Sequence, residues 1–262
     1  MRSKLSIFAA SLAFCVQATF GQSAEVPPTF EVATIKLNDP DMKVPGMTQG
    51  VAPSERRVFA RDSLVSLVRW AYGLQKNEQV QAHERWMVDE RFELDARVGE
   101  PTASSMASLS QEERLAKLRL MMRTLLHERF GLEVRQQEQE QRVIALKVTK
   151  GGLKLKSPGE VGEHTLRGIW SSPGRADATN ATMKDLADLL VNLPEADGLP
   201  VVDRTGFQGE FAMSLRYVPV SVQSEGPTLF TALEEQLGVK LVRARDVVGI
   251  VVIDAAHRPS EN

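Results

Sequence analysis

Four histidines are the first places to look for acid–base or metal chemistry: His83, His127, His164 and His257. Helical zinc sites hold their metal with two histidines four apart on one face, and no pair here has that spacing. His127 falls on a helical stretch beside Leu126 and Glu128, His83 and His164 fall in loop or strand-edge contexts, and His257 lies near the tail. A serine nucleophile needs a sharply turned backbone and a base within reach, and no Gly-x-Ser-x-Gly occurs. The SSPG at 171–174 reads as a hairpin turn instead. There is no Walker-type loop and no Gly-x-Gly-x-x-Gly to cradle a phosphate. The sequence therefore assigns no catalytic residue, no metal ligands and no cofactor.

The residues that invite a functional reading are Trp86, Trp170, Asp203 and Arg204. Both tryptophans lie beside expected loops, where an exposed ring could stack on a ligand, although core packing is the commoner fate of such a ring. Asp203 sits in VVDRTG, which is similar to two catalytic aspartate motifs. Arg204 interrupts the Asp-Thr-Gly of aspartic proteases, and Phe207 stands where the aspartyl-phosphate motif needs a second threonine. Asp89 precedes an expected strand in the first half as Asp203 does in the second. A turn-forming aspartate that accepts a backbone amide two residues on explains both positions. The alternative is an envelope hydrolase that uses Asp89 and Asp203 as two carboxylates sharing a cleft at roughly 5–10 Å, or a metal site assembled across the fold.

The elements that must position these groups repeat along the chain. A first helix expected over 62–74 carries Leu64, Leu67, Trp70, Ala71 and Leu74. A helix expected over 183–193 carries Met183, Leu186, Leu189, Leu190 and Leu193, each 119 residues after its partner. Steps of three and four put each set on one helical face. Ser63, with Asp62 beside it, and Thr182 stand at the N-caps, and Pro194 ends the second copy. Second helices are expected over 111–130, the longer one, opened by the Ser110–Glu113 capping box, and over 229–237. Gly131 and Gly238 stop them, as a left-handed helix end requires. A hairpin is expected to follow each, closing with RVIALKVT at 142–149 and VVGIVVID at 247–254. The expected fold is α+β: two tandem copies of a β-α-β-α-ββ unit with small, mostly antiparallel sheets. The units span 30–150 and 163–262, joined by a glycine- and proline-rich linker over 151–162. Stretches 39–54 and 101–110 read as loops, and 258–262 as a loosely held end.

The first 21 residues read as a cleavable export signal. Arg2 and Lys4 precede an apolar run from Leu5 to Val16 broken only by Ser6 and Ser11, and Thr19 and Gly21 suit a cut before Gln22. That run is shorter than the roughly 20 apolar residues of a membrane span. The single cysteine, Cys15, lies inside the signal, so the mature chain holds no thiol for disulfides or metal. Removing Arg2 and Lys4 from 32 basic and 34 acidic residues leaves a net charge of −4. No basic stripe points to nucleic acid, and no later apolar run reaches membrane length.

FEVATIK at 30–36, LPVVDRTGFQGEF at 199–211, GPTLFTALEEQLGVKL at 226–241 and VVIDAAHRPSEN at 251–262 resemble the soil-associated bacterial protein family. That family is a domain of unknown function found in envelope proteins with signal peptides. Ala212–Met213 and Ala255–Ala256 depart from its pattern. Some relatives extend membrane-embedded, antirepressor-type metallopeptidases, which implies a sensor or ligand-binding role outside the membrane. The run TLFTALEEQLGVKLVRARDVVGIVVID is also similar to the short N-terminal domain of secretins and TonB-dependent receptors, a partner-binding module. The resemblance implies an exported, non-catalytic module for an envelope protein, peptide or cell-wall ligand. Such a module could add a ligand strand to an exposed hairpin edge. A homodimer that only exchanges edges is a third reading.

Overall fold

The computed structural model describes residues 27–38, 50–159 and 168–259. The first part of the chain runs β1 (Val32–Leu37), β2 (Gly50–Pro53), β3 (Arg57–Asp62), α1 (Leu64–Ala71), β4 (Val80–Gln81) and α2 (Trp86–Asp89). It continues through β5 (Phe92–Arg97), α3 (Thr102–Ala107), α4 (Gln111–Phe130) and β6 (Glu133–Val148). The second part runs β7 (Ile169–Ser172), β8 (Arg175–Ala181), α5 (Met183–Leu190), β9 (Val201–Asp203) and β10 (Phe211–Arg216). It ends with α6 (Leu229–Ala232), a π turn over Leu233–Leu237 and β11 (Val239–Ala255). The expected signal peptide, Cys15, His164 and residues 160–162 of the linker lie outside the described residues.

Local chemistry explains the helix ends. Ser63 caps α1 by accepting the Ser66 amide at 3.3 Å, while Asp62 accepts the amide of Ser63 itself at 2.8 Å. Reciprocal capping boxes open α4 (Ser110 and Glu113) and α5 (Thr182 and Asp185). Gly131 and Gly238 end their helices in the left-handed conformation, at φ 55° and 70°. The second position is the stricter one. A Cβ on Gly238 would lie 2.0 Å from the carbonyl oxygen of Gly152, so glycine there permits both the turn and the close backbone approach.

Among the described residues three sheets form, ordered β1-β5-β3-β2, β10-β8-β7 and β4-β11-β6-β9. The first two are antiparallel and carry the helical layers. In the third, β6 and β11 pair antiparallel from Val239 opposite Val148 to Ala255 opposite Glu133. Short β9 lies parallel to β6 at Ile144–Leu146, and short β4 lies parallel to β11 at Val251–Val252. The fold is α+β with small, mostly antiparallel sheets, as expected. The two hairpins expected after the second helices do not form. RQQEQEQR at 135–142 and VRARD at 242–246 contain no glycine or proline, so the backbone runs straight through and each strand pairs with the other. The polar middle of this ribbon is mostly exposed, so it lacks the apolar alternation that marks a strand in sequence.

The pairing interlocks the halves. Val251 and Ile253 of β11 are 1% exposed within the hydrophobic cluster built on α1, α4 and β5. Ile144 and Leu146 of β6 belong to the other cluster, built on α5, α6 and β10. Residues 30–150 therefore do not close their own core, and neither do residues 163–262. Part of the expected linker is also pinned, because Lys156 and Ala212 exchange backbone hydrogen bonds at 3.1 and 3.0 Å.

Two stretches read as loops contain structure. Residues 50–53 form an edge strand on β3, and residues 102–107 form α3. Glu100 accepts from the amide and hydroxyl of Ser104 at 3.2 and 2.7 Å, while Ala103 and Met106 point into the core. The serine-rich composition hid the three-residue spacing of those two apolar positions. Arg258, read as part of a loose tail, is held by Glu90 at 2.6 Å.

Candidate ligand cleft

The residues singled out from the sequence fall in separate places. Trp86 starts α2, is 7% exposed and meets Phe92 edge-on at 6.3 Å between ring centres. Its indole N–H donates to Glu84 at 2.8 Å, and the Arg258 guanidinium lies over the ring at 5.1 Å. Core and guanidinium thus already cover the ring, so it offers no open stacking face. Trp170 is half-buried on β7, opposite Asp177 of β8. Asp203 Oδ1 accepts from the amide and hydroxyl of Thr205 at 2.8 and 2.7 Å, the turn geometry that the sequence suggested. Arg204 grips Asp246 of β11 through two hydrogen bonds of 2.6 and 2.5 Å, holding the Asp246 carboxyl below its usual pKa against burial. Asp89 is exposed at the end of α2, away from the strand position held by Asp203. His127 Nδ1 lies 3.1 Å from the Leu132 carbonyl, and the His257 amide donates to Phe130 at 2.7 Å. Among the described residues, no three His, Cys, Asp or Glu side chains converge as a metal site.

A different set of residues meets where the halves face each other. Two glutamines that follow α1 make the junction. The Gln75 amide accepts from Val201 N–H at 2.9 Å and donates to Val201 C=O at 3.0 Å, as a neighbouring strand residue would. The same side chain donates to Asp188 of α5 at 2.9 Å. Gln79, 5% exposed, accepts from the amides of Gln75 and Lys76 and donates to Gly249 C=O of β11 at 2.9 Å. These bonds satisfy part-buried backbone groups on both sides of the junction.

The Gln75 bond ties α5 to the segment after α1, and a cleft of about 380 Å³ lies between α4 and α5. Leu115, Ala116 and Arg119 line it from α4, and Lys184, Asp185 and Asp188 line it from α5. A more open polar recess of about 450 Å³, lined by Ser66, Arg69, Gln75, Asn77 and Asn192, borders the same junction. At the base of the cleft the Arg119 side chain lies close to Gly73, where an added Cβ would come within 3.1 Å of Nη1. Its Nε is buried with no hydrogen-bond partner among the described residues. Burial lowers the Arg119 pKa from its usual value, Asp188 opposes that shift, and Arg123 and Arg69 add to it. Arg123 is itself occupied, donating to Ala71 C=O at 2.9 Å and stacking 4.3 Å from the Tyr72 ring centre. The cleft thus presents the apolar side chains of Leu115 and Ala116 and a partly buried cation.

The fold and this cleft define an α+β protein of two interlocked halves joined by one shared sheet. The chain belongs to the family designated DUF3738, proteins of unknown function, whose profile matches residues 65–256. The match begins inside α1 and runs past the end of β11, so it takes in the glutamine junction, both cleft helices and the shared sheet. No curated protein and no solved structure matches the chain.

Proposed function

We propose that this protein is an exported, non-catalytic recognition module that holds a protein, peptide or cell-wall ligand in the cleft between α4 and α5. The observation that carries the reading is the cleft itself. Both halves build it, the Gln75–Asp188 bond holds its α5 wall, and a partly buried guanidinium lines it. The resemblance to the soil-associated family and to the short secretin and TonB receptor domain supports the same reading. Export rests on the charged start, the apolar run and the small residues before Gln22. The envelope-hydrolase alternative needs Asp89 and Asp203 in one site, whereas Asp203 is bound to Thr205 and Asp89 sits exposed on α2.

Ala116 is exposed on α4, so Ala116→Trp fills the cleft without touching a core. Immobilised wild-type protein retains a specific component of solubilised envelope or purified cell wall, and the Ala116→Trp protein loses it. Equal retention by both proteins, or turnover of a substrate in a hydrolase panel, would overturn the reading. Mass analysis of the exported protein gives a chain that starts at Gln22; an intact Met1 would refute export by this signal.

A further inference from the structure

The cleft walls indicate what kind of group they would accept. The carboxylates on them are already engaged. Asp185 accepts from the amide and hydroxyl of Thr182 at 2.8 and 2.7 Å, closing the N-terminus of α5. Asp188 is bonded to Lys184 and to Gln75, and Glu112 also has a partner within the fold. The α5 amides are therefore not what an incoming anion would meet. Arg119 differs, because a buried N–H of its guanidinium is unmatched. It stays charged at neutral pH as arginine does, and the charges of Arg69 and Arg123 bear on it alongside that of Asp188. The buried Nε is out of reach, so an incoming oxyanion meets the rest of the guanidinium, where Arg119 lines the cleft, and answers the crowded positive charge.

The other wall is apolar. Leu115 and Ala116 lie four and three residues before Arg119, which places all three on one face of α4. Leu115 is half-buried and Ala116 exposed, so the face opens outward from the guanidinium. At about 380 Å³ the cleft is within the size range of small-molecule sites.

We propose that the cleft binds a small organic carboxylate, its two oxygens on the Arg119 guanidinium and an apolar substituent against Leu115 and Ala116. This rests on the recognition reading and names its ligand chemistry. The carboxylate could belong to a free acid or to the end of a peptide chain, and the test separates these.

Four probes are titrated calorimetrically into the purified protein: hexanoate, hexanamide, and a leucine-terminated hexapeptide as free acid and as C-terminal amide. At least one acid binds about tenfold or more tightly than its amide, as loss of a charged hydrogen bond implies. That comparison uses the wild-type protein and does not depend on any variant folding. Arg119→Gln lowers affinity for the acid by a similar factor and leaves the amide unchanged. Tighter binding of hexanoate identifies a free acid, and tighter binding of the peptide acid identifies a chain end. Equal affinity for acids and amides, or an Arg119→Gln protein that binds the acid normally, overturns the proposal. If none of the four binds at millimolar concentration while envelope retention stays sensitive to Ala116→Trp, the carboxylate inference fails and the recognition reading stands.

Discussion

Ile253→Ala tests whether the halves form one cooperative unit. Ile253 lies near the end of β11, yet it is 1% exposed in the core built largely by the first half. Truncation removes three buried carbons, worth roughly 2.4 kcal/mol at about 0.8 kcal/mol each, and leaves a cavity that raises the loss toward 3–4 kcal/mol. In urea, with a slope of about 3 kcal/mol per molar, the midpoint moves down by about 1 M. The assay follows tryptophan fluorescence, which reports Trp70 and Trp86 in one half and Trp170 in the other, together with far-ultraviolet circular dichroism. The interlocked cores predict one transition by both probes, displaced as a whole in the variant. Two separated transitions, with only one displaced, would refute the interlocking. A loss below about 1 kcal/mol would contradict the packing of β11 in the first core.

Gly238→Ala destabilises more than Gly131→Ala in thermal melts. Both add about 1–2 kcal/mol of left-handed strain, but the new methyl at 238 strikes the Gly152 backbone, whereas at 131 it meets the exposed His257 ring, which can swing away. Equal losses would contradict the close approach at Gly238. Arg204→Ala makes the protein less stable near neutral pH, and its deficit relative to wild type closes on acidification. Asp246 has a lowered pKa in the folded state, so its stabilising contribution is present above the unfolded carboxyl pKa of about 4 and fades as pH falls through the folded value. Melting temperatures of both proteins at pH 7 and pH 3 check this, and a gap that widens in acid contradicts it. Thr182→Ala costs α5 about 1 kcal/mol, read from the same melts, because the hydroxyl accepts the Asp185 amide and Thr182 also donates to the Asp185 carboxylate; no loss would rule out the cap.

What was legible in the sequence was local. The faces of α1 and α5, the capping boxes at Ser110 and Thr182 and the glycine stops at 131 and 238 follow from spacing and backbone chemistry within one segment. The turn role of Asp203 was legible for the same reason. Strand partners were not. Nothing within 133–148 states that its partner is 239–255, and the polar run between Arg135 and Arg142 resembles a connection because no core covers it. Trp86, read beside a loop with core packing the commoner fate, turns its ring inward onto Phe92 from the single turn of α2, which no spacing signal announced. The cleft was invisible for a related reason. Arg119 sits between Leu118 and Leu120 like any charged helix residue, and its buried, unmatched Nε shows only in the fold, as does the junction of Gln75 and Gln79. Those two glutamines, in the stretch LQKNEQV, carry no local signal beyond polarity.

Photo-crosslinking tests the account most directly. A photoreactive residue is placed at position 116 in the cleft, at exposed Asp89, or at exposed Glu138 on the edge of β6, and each protein is irradiated with solubilised envelope or cell wall. Ligand recognition between α4 and α5 predicts a specific adduct from position 116 and none from positions 89 or 138. An adduct confined to position 138 would place binding on the strand edge, one confined to 89 would place it on α2, and either would contradict the cleft.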